Sequence, residues 1–214
     1  MNSETDPHDR QRVLRLGPAP EAARLTAIML HGRGAAADDM LALARELKLQ
    51  DVAFLAPQAA GNTWYPYSFL TPMERNEPWL TSALTTVGRL IASLESGSVP
   101  ADRIAVMGFS QGACLALEYA ARNARRYAAV IGLSGGLIGP PGTPRNYAGS
   151  LDGTPVFLGC SDIDQHIPIE RVHESSEVFR KLGAHVDERI YPGMGHTVNT
   201  DELVAVRTLL GSFG

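Results

Sequence analysis

The stretch Ile104-Ala105-Val106-Met107-Gly108-Phe109-Ser110-Gln111-Gly112-Ala113-Cys114-Leu115-Ala116-Leu117 constrains the fold most. Its opening apolar run has strand length and no polar alternation, which reads as a strand buried on both faces of a parallel sheet. The alanine- and leucine-rich segment after it reads as a helix that starts just past Ser110. A chain that passes from buried strand to helix within five residues must turn sharply. Glycines on both sides of the turn omit the Cβ atoms that would collide there. In this context G-x-S-x-G lifts a serine hydroxyl above the sheet and aims helix N–H groups at the same space. In a chain with 21 glycines, however, the pentapeptide alone is weakly specific, and the rest of the sequence has to decide its meaning.

Six other segments have strand character. Val13-Leu14-Arg15-Leu16 reads as an edge strand, residues 25–30, 52–57, 128–134 and 155–160 as short buried strands, and 186–191 as an alternating strand. Helical periodicity falls between them. Met40, Leu41, Leu43, Ala44 and Leu47 share one face after a cap at Asp38-Asp39, and further helices are expected over 79–95, 169–182 and 201–210. Strands alternating with helices imply a mostly parallel central sheet with helices on both faces. At 214 residues the chain accommodates one such α/β domain and not two ordinary ones. Residues 1–12 are polar and are expected to be a flexible N-terminal arm, with the single domain spanning 13–214.

The net charge of −4 provides no basic footprint, which argues against a nucleic-acid partner. The aliphatic runs stop far short of the ~20 residues that span a bilayer. No apolar stretch near the start resembles a signal peptide, so a cytoplasmic protein without stable membrane insertion is expected. Cys114 and Cys160 both sit in apolar surroundings and read as buried free thiols.

In a sheet of this kind ligands gather at the carboxyl ends of the strands. The loops there are 31–34, 58–78, 108–112, 134–136, 161–166 and 193–196. A serine needs a base to become a nucleophile, and the base needs an orienting carboxylate. Ser110, then Asp162 or Asp164, then His196 follow one another in that order, each just after a strand. Either aspartate could instead be a turn carboxylate. Asp162, Asp164 and His166 alternate, yet no fourth ligand stands at a usable spacing, so no metal is expected. His31 precedes the serine and is expected to brace its own loop. Loop 58–78 breaks the periodicity and carries Trp64, Tyr65, Tyr67 and Phe69, with Trp79 just beyond. Long loops in compact domains are usually functional. Trp64 and Tyr65 are therefore candidate substrate-binding residues, the alternative being that they only anchor the loop.

With these motifs in place, from residue 25 to 210, the chain resembles the phospholipase/carboxylesterase family of serine hydrolases, the α/β-hydrolase group that includes acyl-protein thioesterases. The motifs that carry the resemblance are His31-Gly32-Arg33-Gly34, Gly108-Phe109-Ser110-Gln111-Gly112, Leu133-Ser134-Gly135-Gly136, the segment from Gly159 through Asp164 to Pro168, and Gly193-Met194-Gly195-His196. The resemblance implies an α/β-hydrolase fold, with Ser110 as nucleophile, Asp164 as orienting acid and His196 as base. It also implies an oxyanion hole from the backbone N–H groups of Arg33 and Gln111. No cofactor is implied. The expected substrate is a small-molecule carboxylic ester of short to medium chain length, with thioesters and lysophospholipids as variants, and a homodimer would be unsurprising. The sequence shows no inserted lid domain, which implies an open site.

Two positions depart from the thioesterase pattern. Arg33 stands where an apolar residue is usual, and the loop Asn62-Thr63-Trp64-Tyr65-Pro66-Tyr67 looks more like that of a bacterial esterase branch. A dienelactone-hydrolase-like enzyme would carry cysteine at position 110. A non-hydrolytic small-molecule-binding protein of the same fold would not require the full set Ser110, Asp164 and His196.

Overall fold

The computed structural model describes residues 6–212. Seven strands form one sheet: β1 (Val13–Leu16), β2 (Leu25–Leu30), β3 (Val52–Pro57), β4 (Ile104–Phe109), β5 (Ala129–Leu133), β6 (Pro155–Ser161) and β7 (His185–Tyr191). Their spatial order is β1-β3-β2-β4-β5-β6-β7, and all neighbours are parallel except the β1–β3 pair. The five α-helices are α1 (Ala37–Leu47), α2 (Trp79–Ser96), α3 (Gln111–Arg122), α4 (Ile169–Lys181) and α5 (Thr200–Gly211). This is the expected α/β-hydrolase fold, and no lid domain is inserted into it among the described residues.

The pleat of each central strand sorts its side chains between two apolar layers. On β2, Ile28 and Leu30 face the layer built with α2, α3 and α4, whereas Leu25, Ala27 and Met29 face α1 and α5. Both faces are covered, which is why these strands read as near-continuous apolar runs, with Thr26 the one polar side chain on β2. The chain leaves β2 toward β3 on one side and returns to β4 on the other. The order therefore reverses at β2 and β4, where Leu30 pairs with Gly108. The loop after β2, residues 31–34, and the turn at Ser110 after β4 open beside each other at this switch point, where such sheets bind ligands.

The crossing at this point is tight. A Cβ on Gly112 would overlap the carbonyl groups of Leu30 and His31, and one on Gly108 would overlap the Gly112 backbone. Both obstacles are backbone, so no rotamer change relieves them. Gly112→Ala is expected to destabilise the fold by about 3 kcal/mol or more, read as a shift of the denaturation midpoint.

Two local expectations need correction. Helix α1 starts at Ala37, so Asp38 and Asp39 lie inside its first turn instead of capping it from outside. Asp39 accepts the Ala36 N–H at 2.8 Å, and the Gln58 side chain accepts the Ala37 N–H at 2.9 Å. The flexible arm expected over 1–12 is the second case. Residues 1–5 lie outside the described residues, but Asp6 and His8 are buried against the body of the protein. Asp6 accepts the Ser82 hydroxyl at 2.5 Å and pairs with Arg89 at 2.6 Å. The His8 ring bridges the Trp64 carbonyl at 2.9 Å and the Ala60 N–H at 3.1 Å, and its edge meets Trp79. These polar groups dock because each finds a buried partner on α2 or on loop 58–78.

Candidate active site

Ser110 is the residue between β4 and α3. Its φ of 54° and ψ of −119° form a strained backbone that few non-glycine residues adopt. The neighbours hold it there, since its N–H donates to the Leu133 carbonyl at 2.9 Å and its carbonyl accepts from Cys114 N–H at 3.0 Å. The strain turns the side chain out of the helix and into the cleft above the sheet.

Asp164 and His196 come from the loops after β6 and β7. His196 Nε2 lies 2.8 Å from Ser110 Oγ, and His196 Nδ1 lies 2.7 Å from Asp164 Oδ2. The other carboxylate oxygen, Asp164 Oδ1, accepts the N–H groups of His166 at 2.8 Å and Ile167 at 3.1 Å. The Asp164 side chain is fully buried, whereas the His196 ring is 21 % exposed. Burial works against the Asp164 charge. The hydrogen bonds from His196 and from the His166 and Ile167 amides outweigh it and hold the carboxyl below its usual range. A carboxylate so held fixes the imidazole with Nδ1 protonated and Nε2 free to accept from the serine.

Asp162 points elsewhere. Its Oδ1 accepts the Gly193 N–H at 2.8 Å, and Ser161 Oγ accepts the Gly195 N–H at 3.0 Å. The two aspartates thus divide the work of one loop: Asp164 holds the His196 ring, and Asp162 holds the turn that carries it. His166 meets the His196 ring edge-on at 4.7 Å and lines the same cleft.

Just beyond His196, Asn199 and Glu202 cap α5 reciprocally at 2.8 and 2.9 Å. Glu202 is completely buried, and its Oε1 has no hydrogen-bond partner among the described residues. Burial raises its carboxyl to about 7, against the pull of the Asn199 N–H. The native state therefore keeps a proton that the unfolded chain, with a carboxyl near 4.5, gives up first. This group's contribution to stability is full below about pH 4.5 and is lost as pH rises toward 7. Measured by denaturation at several pH values, the stability of Glu202→Gln relative to the parent is expected to rise across that window and stay level above it.

The cleft encloses a cavity of about 460 Å³. Ser110, His196, Gln111 and Gly32-Arg33 line one end of it, and Tyr65, Tyr67, Phe69, Phe109 and Ile167 line its apolar walls. The N–H of Arg33 has no protein acceptor among the described residues, and that of Gln111 is the first of α3, ahead of the helical ladder. Tyr65 is part of the cavity wall. Trp64 is not among the lining residues: it is fully buried, its indole N–H donates to the His31 carbonyl at 2.9 Å, and its ring lies tilted against those of His8 and His31. The reason is its indole N–H, which is satisfied inward and not toward the cavity. His31 braces its loop as expected, bridging the Gly32 carbonyl at 2.8 Å and the Ala59 N–H at 3.0 Å. Cys114 and Cys160 are buried free thiols, each pushed up to about 12 by burial, which makes them poor nucleophiles.

Sequence reasoning missed two features. The Gln111 side chain and the Arg33 guanidinium both bind loop 58–78, a tertiary arrangement with no signature in local periodicity. His8 was hidden in a polar segment with no apolar pattern.

Comparison with known proteins places this geometry in a family. Residues 17–212 match the phospholipase/carboxylesterase family model. An acyl-protein thioesterase 1 of Gibberella zeae is 32% identical over 123 residues, and that match covers 55% of this chain and 50% of the relative, so the chain spans about half the length of this curated relative. An acyl-protein thioesterase 1 of Neurospora crassa is 26% identical over 223 residues, covering 91% of this chain and 89% of the relative. The crystal structure of a phospholipase/carboxylesterase from Dyadobacter fermentans superposes with a TM-score of 0.90 at 44% identity, covering 94% of this chain and 96% of that one. With its sheet order, its serine turn and a family match that runs through nearly every element, this chain belongs to the phospholipase/carboxylesterase family.

Proposed function

We propose that the chain is a serine hydrolase of carboxylic esters or thioesters that works through an acyl-enzyme. The observation that carries the reading is the continuous path Asp164–His196–Ser110, with 2.7 and 2.8 Å between successive polar atoms. His196 Nε2 takes the Ser110 proton as Oγ attacks the acyl carbon. The imidazolium that forms is stabilised by the buried Asp164 carboxylate. The N–H groups of Arg33 and Gln111 receive the oxyanion of the tetrahedral intermediate. His196 then returns the proton to the leaving oxygen or sulfur, the acyl-enzyme remains, and a water activated by the same imidazole releases the acid.

The walls support a small ester as the substrate class. A cavity of about 460 Å³ falls within the range that holds one small molecule, and its aromatic side favours an uncharged acyl group. Among the described residues no helix is long and apolar enough to cross a membrane. A panel of p-nitrophenyl esters and matching thioesters of graded chain length tests this. The expected result is hydrolysis with kcat/KM greatest for short to medium acyl groups. No turnover of any ester or thioester would contradict the activity, and kcat/KM rising without limit toward long chains would contradict the substrate class.

A further inference from the structure

Arg33 lies in the loop after β2 and Gln111 opens helix α3, yet their side chains converge on one five-residue segment, residues 63–67. The Gln111 carboxamide is buried and bidentate: Oε1 accepts the Trp64 N–H at 2.8 Å and Nε2 donates to the Tyr65 carbonyl at 2.8 Å. The Arg33 guanidinium donates to the next two carbonyls, Pro66 at 2.7 Å and Tyr67 at 2.6 Å, and lies 5.9 Å over the Tyr65 ring. Beside them, Gly34 N–H donates to the Asn62 carbonyl at 2.7 Å. Four consecutive residues of the segment are thus held by two side chains. The segment is anchored from behind, where the Trp64 indole holds the His31 carbonyl and the Trp64 carbonyl meets the His8 ring.

We infer that the side chains of Arg33 and Gln111 are positioning groups: they brace the two backbone N–H groups of the oxyanion site against the aromatic segment 63–67, so that this segment sets the geometry of the hole. The inference rests on the hydrolase reading above. Its physical basis is that an oxyanion site works through donors fixed before the charge develops. Each amide plane is tied on its carbonyl side: the Ser110 carbonyl, in the Gln111 plane, accepts the Cys114 N–H at 3.0 Å, and the Gly32 carbonyl, in the Arg33 plane, meets the His31 ring at 2.8 Å and the Ala35 N–H at 3.2 Å. A second tie comes from each residue's own side chain, through a third element that also forms the cavity wall. Arg33 at the position after His31-Gly32 therefore has a role that an apolar residue could not fill, since only a planar fork reaches two successive carbonyls.

The consequence is selective loss of transition-state stabilisation. Removing the brace loosens the amides, which matters most when the oxyanion forms and less when the uncharged substrate binds. The test compares the parent with Arg33→Met, Arg33→Lys and Gln111→Met on one p-nitrophenyl ester. Rates are expressed per active site titrated with a fluorophosphonate, so that misfolded protein does not count. Arg33 is exposed, which keeps its variants folded even if Gln111→Met is not. The expected result is a kcat about tenfold lower for Arg33→Met, with KM changed by less than about threefold. Lysine, a single point donor, restores only part of the loss. The ceiling is the ~10²–10³ of a wholly lost donor. Affinity for a boronic acid that forms a tetrahedral serine adduct should fall by the same factor as kcat. An unchanged kcat per titrated site, or a fall in kcat with the boronic acid bound as tightly as before, would overturn the proposal and leave the hydrolase reading standing. A parent protein that neither turns over the ester nor titrates would overturn both.

Discussion

Ser110→Ala is expected to lower kcat on a p-nitrophenyl ester by roughly 10⁴-fold or more, with little change in the denaturation midpoint. The size follows from the chemistry, because without Oγ no acyl-enzyme forms and only the binding pocket and the oxyanion amides act on a water attack. The fold should survive. Alanine keeps the same Cβ at the same strained φ of 54°, and the backbone bonds to Leu133 and Cys114 do not involve the hydroxyl. Steady-state kinetics beside a denaturation curve measures both quantities. A loss below about tenfold would mean that another group is the nucleophile.

The second large effect separates two aspartates two residues apart. Asp164→Asn is expected to lower kcat by about 10⁴, the order seen where an amide replaces the orienting acid of such a relay. An asparagine there can present its N–H₂ to His196, which favours the tautomer that cannot accept from Ser110. It also gives up the charge that stabilises the imidazolium. Asp162→Asn should change kcat by less than about tenfold, because an amide oxygen can still accept the Gly193 N–H that Asp162 now holds at 2.8 Å. Equal losses in the two variants would contradict the assignment of Asp164.

The contrast between these aspartates also marks how far the sequence can be read. The elements around Ser110 are legible because burial on both faces leaves unbroken apolar runs and because the turn tolerates only glycine at its crossing points. Strand limits at β2 and β3 coincide with the apolar runs for the same reason. The order of serine, acid and histidine is legible because each stands just past a strand. Which aspartate points to His196 is not, since both occupy one loop and their directions depend on β7 and on the amides of residues 166, 167 and 193. Trp64 shows the same limit. Its place in an aromatic loop is visible, but whether the ring faces the cavity or the core depends on the His31 carbonyl, which lies 33 positions away. The docking of Asp6 and His8 is hidden altogether, because isolated polar side chains that find buried partners leave no periodic trace. Arg33 stands out in sequence only as a departure. Its meaning comes from two carbonyls that the fold brings within 2.7 Å of its guanidinium.

An activated nucleophile at Ser110 is open to covalent labelling, a test that needs no choice of substrate. Incubated with an alkyl fluorophosphonate and mapped by peptide mass spectrometry, the protein should take up one adduct per chain, on Ser110, at a rate that falls sharply in the His196→Ala variant. No adduct, or an adduct on a residue other than Ser110, would contradict the account.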